Sequence, residues 1–314
     1  MHYFIKYSII AYNIKNKGDN MSSKIVGFIS EKGGVGKTTA CYHIAIALKR
    51  YHKKKVLIID TDYQRGGITC KFIPTLIEDF QKGQVPYKTI YHQFQNLYAD
   101  SDEHVDIEVL KGKYDIDIVP SDPRLAKVSV DKLPTESNMS KLSNNMYRHL
   151  SILKNVIDKY KESYDYILID THPEISALLD CVIYACDYCV SPVKLDRQSS
   201  VGVASAMEEI NSVNSSVKQL QQVLEIQGYQ DTKFVGAIGM MAREYDGALI
   251  YSMNQECTTL NKAFGMFKNY VTEGDGIRIA AKKYEPVYDI DGDNAEKQAD
   301  QFKELTREFI RRCV

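Results

Sequence analysis

The chain carries no excess of charge of either sign: Lys and Arg number 40 against 41 Asp and Glu, a formal net charge of −1. No global basic field therefore advertises nucleic acid, and any contact with a polyanion must come from a local patch. A secretory signal is also lacking. Met1 to Tyr12 is apolar but interrupted by Lys6, too short to span a bilayer and without a small-residue cleavage site. Cysteine is scarce and odd in number, seven in 314 residues, which fits reduced thiols in a cytoplasmic protein rather than a disulfide framework. Cys186 and Cys189 form a C-x-x-C pair, but no second pair stands at zinc-finger distance. The pair reads as two small hydrophobes where a helix runs into an apolar strand. No linker divides the chain, so residues 24–314 are expected to form one domain. Residues 1–23 are expected as an extension with Met21 the true initiator, because the codons of Lys17-Gly18-Asp19 can spell a purine-rich ribosome-binding sequence.

What is present is a phosphate-binding loop with one lysine too many. Lys32-Gly33-Gly34-Val35-Gly36-Lys37-Thr38-Thr39 departs from G-x-x-x-x-G-K-[ST] by putting Glu31 where the first glycine would stand and a second lysine after it. A polyphosphate is held by successive backbone N–H groups aimed inward and closed by a helix N-terminus. Gly33, Gly34 and Gly36 permit that close approach, because a Cβ would forbid the conformations it needs. Lys37 can then reach the β and γ phosphates, and the Thr38 hydroxyl can hold magnesium. The flanks agree. Lys24 to Ile29 suits a buried strand, while Cys41, Ile44, Ala45 and Leu48 recur at helical spacing with His43, Lys49 and Arg50 off the stripe.

Apolar runs then alternate with helical stretches. This is the pattern of an α/β fold: a doubly wound, mostly parallel twisted sheet with helices on both faces. Val56 to Ile59 ends in Asp60-Thr61-Asp62, and Asp115 to Val119 ends at Pro120. After a helical stretch marked by Met146, Leu150, Leu153, Val156, Ile157 and Tyr160, Tyr166 to Ile169 ends in Asp170. Later strands are expected around Cys189 to Val193 and Phe234 to Met240. Right-handed crossovers bring the functional ends of these strands to one rim. There Asp170 can emerge beside Thr38 and hold magnesium directly or through water. Asp60 and Asp62 share a face of an extended chain, which leaves one for the metal site and the other for the attacking water. Phe72 to Asn145 is polar, with weak helical patterning around Ile90 to Leu97. It receives no chemistry, and its acidic run from Ala99 to Glu103 reads as a solvated loop.

With the loop, the paired acids and the third strand end in hand, the chain from about Lys24 onward resembles the ParA/Soj family of partition ATPases, within the wider group that includes MinD. Lys32 to Thr39 matches the family's deviant Walker A motif, Val56 to Gln64 is similar to its second motif, and Tyr164 to Pro173 to its Walker B. Ser191-Pro192-Val193 looks like the segment bordering the adenine, with Met241 assigned to the same nucleotide. Ile277-Arg278, Pro286 to Asp289 and a last helix from about Ala295 to Arg312 are similar to the family's C-terminal region.

The resemblance implies a P-loop ATPase with ATP and Mg2+ as cofactors. In it, Lys32 reaches across a homodimer to the partner's ATP, and Lys37 binds the phosphates of its own subunit together with Gly33, Gly34, Val35, Gly36 and Thr39. Thr38 and Asp170, with Asp60, serve magnesium, and Asp62 assists hydrolysis. A lysine acting in trans would make dimerisation depend on nucleotide, and hydrolysis would remove the charge holding the halves together. The resemblance further implies slow, partner-stimulated ATP turnover and sequence-independent DNA binding by the ATP-bound dimer, for which Arg243, Arg278, Lys282 and Lys283 are the candidates. It also implies a ParB-like centromere-binding partner and a cytoplasmic, nucleoid-associated location. The family pattern is broken at Glu31, where a neutral residue is more usual, and at Tyr63 and His172, where prolines are common. His172 is read as a partly exposed loop histidine beside the nucleotide rather than as a catalytic group.

Three other readings compete. A membrane-positioning ATPase of the MinD type needs a basic amphipathic helix beyond the folded domain. Ala299, Phe302, Leu305, Phe309 and Ile310 line one side of the last helix, but the chain ends at Val314, so the stripe is expected to be core and no membrane partner is expected. An iron–sulfur carrier would need cysteines near the dimer face; Cys181, the nearest, lies in a helical pattern. For a ligase or synthetase on the same loop, the sequence identifies no substrate pocket.

Overall fold

Every residue of β2 (Val56–Asp60) and β5 (Tyr166–Asp170) is buried, and burial on both faces is why these runs are continuously apolar rather than alternating. The computed structural model describes residues 23–64, 67–101, 103 and 105–314; the expected start at Met21 lies outside them. The other strands of the main sheet are β1 (Lys24–Phe28), β3 (Leu110–Lys111), β4 (Asp117–Val119), β6 (Tyr188–Lys194) and β7 (Lys233–Met240). The seven run in the order β3-β4-β2-β5-β1-β6-β7, and every neighbouring pair is parallel except the short edge strand β3 against β4. The doubly wound α/β sheet expected from the sequence is the fold found.

Ten α-helices are described: α1 (Lys37–His52), α2 (Ile68–Phe72), α3 (Ile77–Gln81), α4 (Ile90–Tyr98), α5 (Met139–Asp158), α6 (Ala177–Ala185), α7 (Arg197–Leu224), α8 (Tyr251–Phe264), α9 (Asp275–Lys283) and α10 (Asp293–Arg312). Alternate side chains of each strand feed opposite cores. Val26, Phe28, Ile58 and Leu168 pack with α1 and α10 on one face, while Ile25, Leu57, Ile167 and Ile169 pack with α5, α6 and α7 on the other. A two-stranded hairpin, β8 (Glu244–Tyr245) and β9 (Ala248–Leu249), follows β7.

The stripe on α10 is core, as its sequence suggested. Phe302, Leu305 and Phe309 are fully buried; Phe309 stacks on Phe28 of β1 and Phe302 on His43 of α1. Each such phenyl group contributes roughly 1.5–3 kcal/mol by leaving water. Among the described residues, no helix is long and apolar enough to cross a membrane. Among the described residues the seven cysteines form no disulfide. Cys186 and Cys189 are buried, and their sulfurs fill the space over Gly27, where a Cβ would meet them at 3.1 and 3.3 Å. The thiols thus act as small packing groups closely seated over a glycine.

Strand order positions the chemistry. β5 lies between β1 and β2, so Asp170 pairs in register with Phe28 on one side and Asp60 on the other. The loop that follows β1 and the acids that end β2 and β5 therefore share one edge, at the carboxyl ends of parallel strands.

Candidate nucleotide-binding site

The loop after β1 has the backbone its glycines predict. Gly34 has φ 71° and Gly36 φ 98°, both left-handed, and Gly36 then caps α1 with its carbonyl accepting from the Ala40 N–H at 2.8 Å. The left-handed conformation calls for glycine at Gly36, and a Cβ there would also crowd the Met240 side chain at 3.2 to 3.4 Å. Val35 is buried and anchors the loop, whereas Gly33 and Gly34 are exposed. Lys37 is buried, with its ammonium donating to the Ser30 carbonyl at 3.4 Å. Burial lowers its pKa, and the Asp170 and Asp62 carboxylates oppose that shift.

Asp170 has the least satisfied carboxyl group of the site. Both of its oxygens are buried without completing a hydrogen bond, although the Thr38 hydroxyl is near enough to lower the acid's pKa. Burial raises that pKa to about 7 against the pull of Thr38 and Lys37, with Asp62 adding to the rise. A buried acid with open lone pairs beside a hydroxyl and further carboxylates suits a hard divalent cation, which would supply the missing charge and ligation. Thr38 and Asp170 therefore fit magnesium.

Asp60 differs from Asp170 in that both of its oxygens already accept hydrogen bonds within the chain. One of its oxygens accepts the Asp62 N–H at 3.0 Å, and the other accepts both the N–H and the hydroxyl of Thr69 at 2.9 and 2.6 Å. Burial, then the neighbouring Asp170, pushes its pKa well above the usual carboxylate range. It acts as a brace that folds the chain after β2 back onto the start of α2. Thr69 in turn accepts from the Ser121 N–H at 3.0 Å, and the Ser121 hydroxyl donates to the Asp62 carbonyl. Ser121 follows β4, in the polar stretch from Phe72 to Asn145 that was expected to carry no chemistry. A serine or threonine at the end of a neighbouring strand is too common to have signalled this role.

Asp62 itself is buried, with one carboxylate oxygen accepting from the Gln64 N–H at 3.0 Å. Burial raises its pKa, while the Gln64 N–H, His172 and Lys37 lower it. His172, expected as a loop histidine, has only 15% of its side chain exposed and lies flat on the Tyr63 ring, with centroids 3.9 Å apart and planes at 15°.

The second lysine of the loop points elsewhere. The Lys32 ammonium lies at the start of α7, 3.4 Å from both Gln198 Oε1 and Ser199 Oγ and 3.9 Å from the Asp196 carboxylate. Asp196 caps α7 by accepting from the Ser199 N–H at 2.7 Å, so Lys32 rests against a capped helix end on its own chain. The spacing of Asp196 and Ser199 before a helix was the available sequence signal.

The adenine and polyanion expectations fare unevenly. Pro192 and Val193 lie inside β6, paired with Ile238 and Gly239, and both are buried. Val193 packs in a cluster with Leu195, Val203 and Met266. Met241, partly exposed with φ 53°, does reach the surface at the end of β7. Arg243 and Arg278 are not free charges: Glu273 binds both, at 2.9 and 3.1 Å, and Asp275 also binds Arg278 at 3.2 Å. Lys282 and Lys283 are exposed in the last turn of α9.

Comparison with known proteins adds the following. Residues 23–226 match a family model described as an AAA domain. Sporulation initiation inhibitor protein Soj of Bacillus subtilis is 28% identical over 205 residues, covering 65% of this chain and 70% of Soj. The Cyanothece McdA–ATP complex superposes with a TM-score of 0.63 at 17% identity, covering 90% of this chain and 96% of that one. A Borrelia burgdorferi structure described as a putative plasmid partition protein bound to AMPPNP gives 0.60 at 18% identity, covering 92% and 99%.

Proposed function

This chain belongs to the ParA/Soj family of AAA-domain proteins, and from that premise we propose that it is a DNA-partition ATPase whose ATP-bound dimer grips DNA and whose hydrolysis lets go. ATP and Mg2+ are its cofactors; solved proteins of this fold hold ATP, an ATP analogue, or ADP with magnesium.

The observation that carries the reading is the direction of Lys32. Lys37 is buried within the loop, whereas the Lys32 side chain leaves the loop and stays 38% exposed. A cation on the rim of the nucleotide site is available to a second subunit's phosphates. In that arrangement Thr38 and Asp170 would hold magnesium, which would offset phosphate charge, while Asp62 would assist attack of water and Asp60 would keep Asp62 in place. Phosphate release then removes the charge that joined the subunits.

DNA binding would use Lys282 and Lys283 first, doubled by the dimer, with Arg243 and Arg278 contributing only once drawn from Glu273. A ParB-like partner would speed hydrolysis, and the protein would act in the cytoplasm on the nucleoid. The apolar face of α10 is core, so α10 itself offers no membrane-binding surface.

The test is solution mass by light scattering with and without ATP and Mg2+. Unmodified protein and Asp62→Ala should dimerise with ATP, while Lys32→Ala should bind ATP and stay monomeric. Monomers throughout, in both unmodified protein and Asp62→Ala, would overturn the reading.

A further inference from the structure

The chain breaks its family's pattern at Tyr63 and His172, and the structure brings those two residues face to face. Their rings stack at 3.9 Å. Glu174 closes the arrangement: the Tyr63 hydroxyl donates to Glu174 Oε2, His172 Nδ1 lies 3.6 Å from the same oxygen, and the Glu174 N–H donates to the His172 carbonyl at 2.9 Å. Tyr63 comes directly after Asp62 in the chain. His172 stands two residues after Asp170, and its loop runs beside the phosphate loop, since a Cβ on Gly33 would lie 3.7 Å from the Pro173 ring.

The inner side of Asp62 is fixed by backbone bonds, its N–H to Asp60 and its carbonyl to the Ser121 hydroxyl. The outer side is fixed by the ring stack. We propose that Tyr63, His172 and Glu174 form a clamp between the loops after β2 and β5 that holds the Asp62 carboxylate at the reacting phosphate and so sets the rate of ATP hydrolysis. Prolines at the two positions would stiffen each loop separately by fixing φ. Stacked aromatic rings instead fasten one loop to the other, with the preference for offset stacking setting their spacing. The three are positioning residues, acting through Asp62 rather than on the nucleotide. His172 and Asp62 also feel each other's charge, which puts the clamp within electrostatic range of the group it positions.

This inference rests on the ATPase reading, and the experiment separates the two. Steady-state kcat and KM for ATP, with Tm as a check on folding, would be measured for Tyr63→Ala, His172→Ala, the double variant, His172→Phe and His172→Leu. Misplacement of a catalytic group by about 1 Å can cost on the order of 100-fold, so each alanine variant should lose about 10- to 100-fold in kcat with KM nearly unchanged. The double variant should be no slower than the worse single one, because the rings act as a unit. His172→Phe keeps the stack and should return to within about threefold of the unmodified rate, while His172→Leu, apolar but without a ring, should not. Unchanged kcat in the alanine variants, multiplicative losses in the double, or His172→Phe as slow as His172→Leu would overturn the clamp while leaving the ATPase reading intact. The Phe and Leu pair decides the matter if an alanine variant fails to fold. Unmodified protein that never turns over ATP would sink the ATPase reading, and the clamp with it.

Discussion

The Lys32 ammonium lies 3.9 Å from the Asp196 carboxylate of its own chain, with Gln198 and Ser199 completing its surroundings at 3.4 Å. A lysine that serves a second subunit must first leave this cradle. Both partners are well exposed, 38% and 48%, so the pair is a weak hold of no more than about 1 kcal/mol.

Asp196→Asn removes the charge but keeps an oxygen to cap α7 through the Ser199 N–H. The ATP concentration for half-maximal dimerisation should fall by about two- to fivefold, read by light scattering, with Tm unchanged. An increase would mean that Asp196 helps Lys32 reach the partner.

Glu273 binds Arg243 and Arg278 together, leaving Lys282 and Lys283 as the freer cations of that region. Glu273→Gln should strengthen ATP-dependent DNA binding severalfold. Replacing both lysines by alanine should weaken it on all sequences alike and flatten the log–log salt slope by about 4, because the dimer loses two cations from each subunit, measured by fluorescence anisotropy from low to moderate salt. A slope that does not move would remove both lysines from the interface.

His43 couples the phosphate-loop helix to the C-terminal region. Its Nδ1 meets the Thr39 carbonyl at 2.8 Å, and its Nε2 accepts from the Val287 N–H at 3.1 Å, which requires the neutral ring. Burial lowers its pKa to about 3, from an ordinary value of 6.5. Between those values the unfolded chain binds a proton that the folded chain refuses. The contribution is thus present in full above pH 6.5 and is lost as pH falls toward 3. His43→Gln should lower stability near neutral pH yet remove up to about 1.4 kcal/mol per pH unit of the slope below it, seen in urea melts. His149, whose pKa burial lowers to about 4, keeps part of the slope in the variant. A slope equal to that of the unmodified protein would exclude His43 as a source.

Gly276 is where α9 meets α10. A Cβ there would stand 2.6 Å from the Ala295 Cα and 2.5 Å from Gln298 Oε1, and Gln298 holds the Ile277 N–H. Gly276→Ala should cost about 1–3 kcal/mol as the two helices part, lowering Tm while ATP binding survives. Unchanged Tm would mean that the crossing gives way without cost.

The fold and the phosphate loop were legible because their causes are local. Strands buried on both faces must be continuously apolar, and a phosphate cradle needs its glycines and lysine within a few consecutive residues. The polar stretch from Phe72 to Asn145 hid Ser121, because a hydroxyl that braces a distant loop leaves no pattern along the chain. The family's adenine segment was visible at Ser191 to Val193, and pairing with β7 places Val193 in a packed cluster.

The sequence by itself determined where the glycine-and-lysine loop lies, which strand ends carry acids, and where the family pattern breaks. Only the tertiary structure decided how those residues divide the work. Asp60 and Asp170 look alike as strand-end acids, yet parallel pairing sets them side by side, and Thr69 then satisfies one and leaves the other open to a cation. Lys32 finds its resting place 166 residues along the chain, and Tyr63 meets a histidine from another strand end. These contacts follow from strand order, which residues adjacent in sequence do not encode.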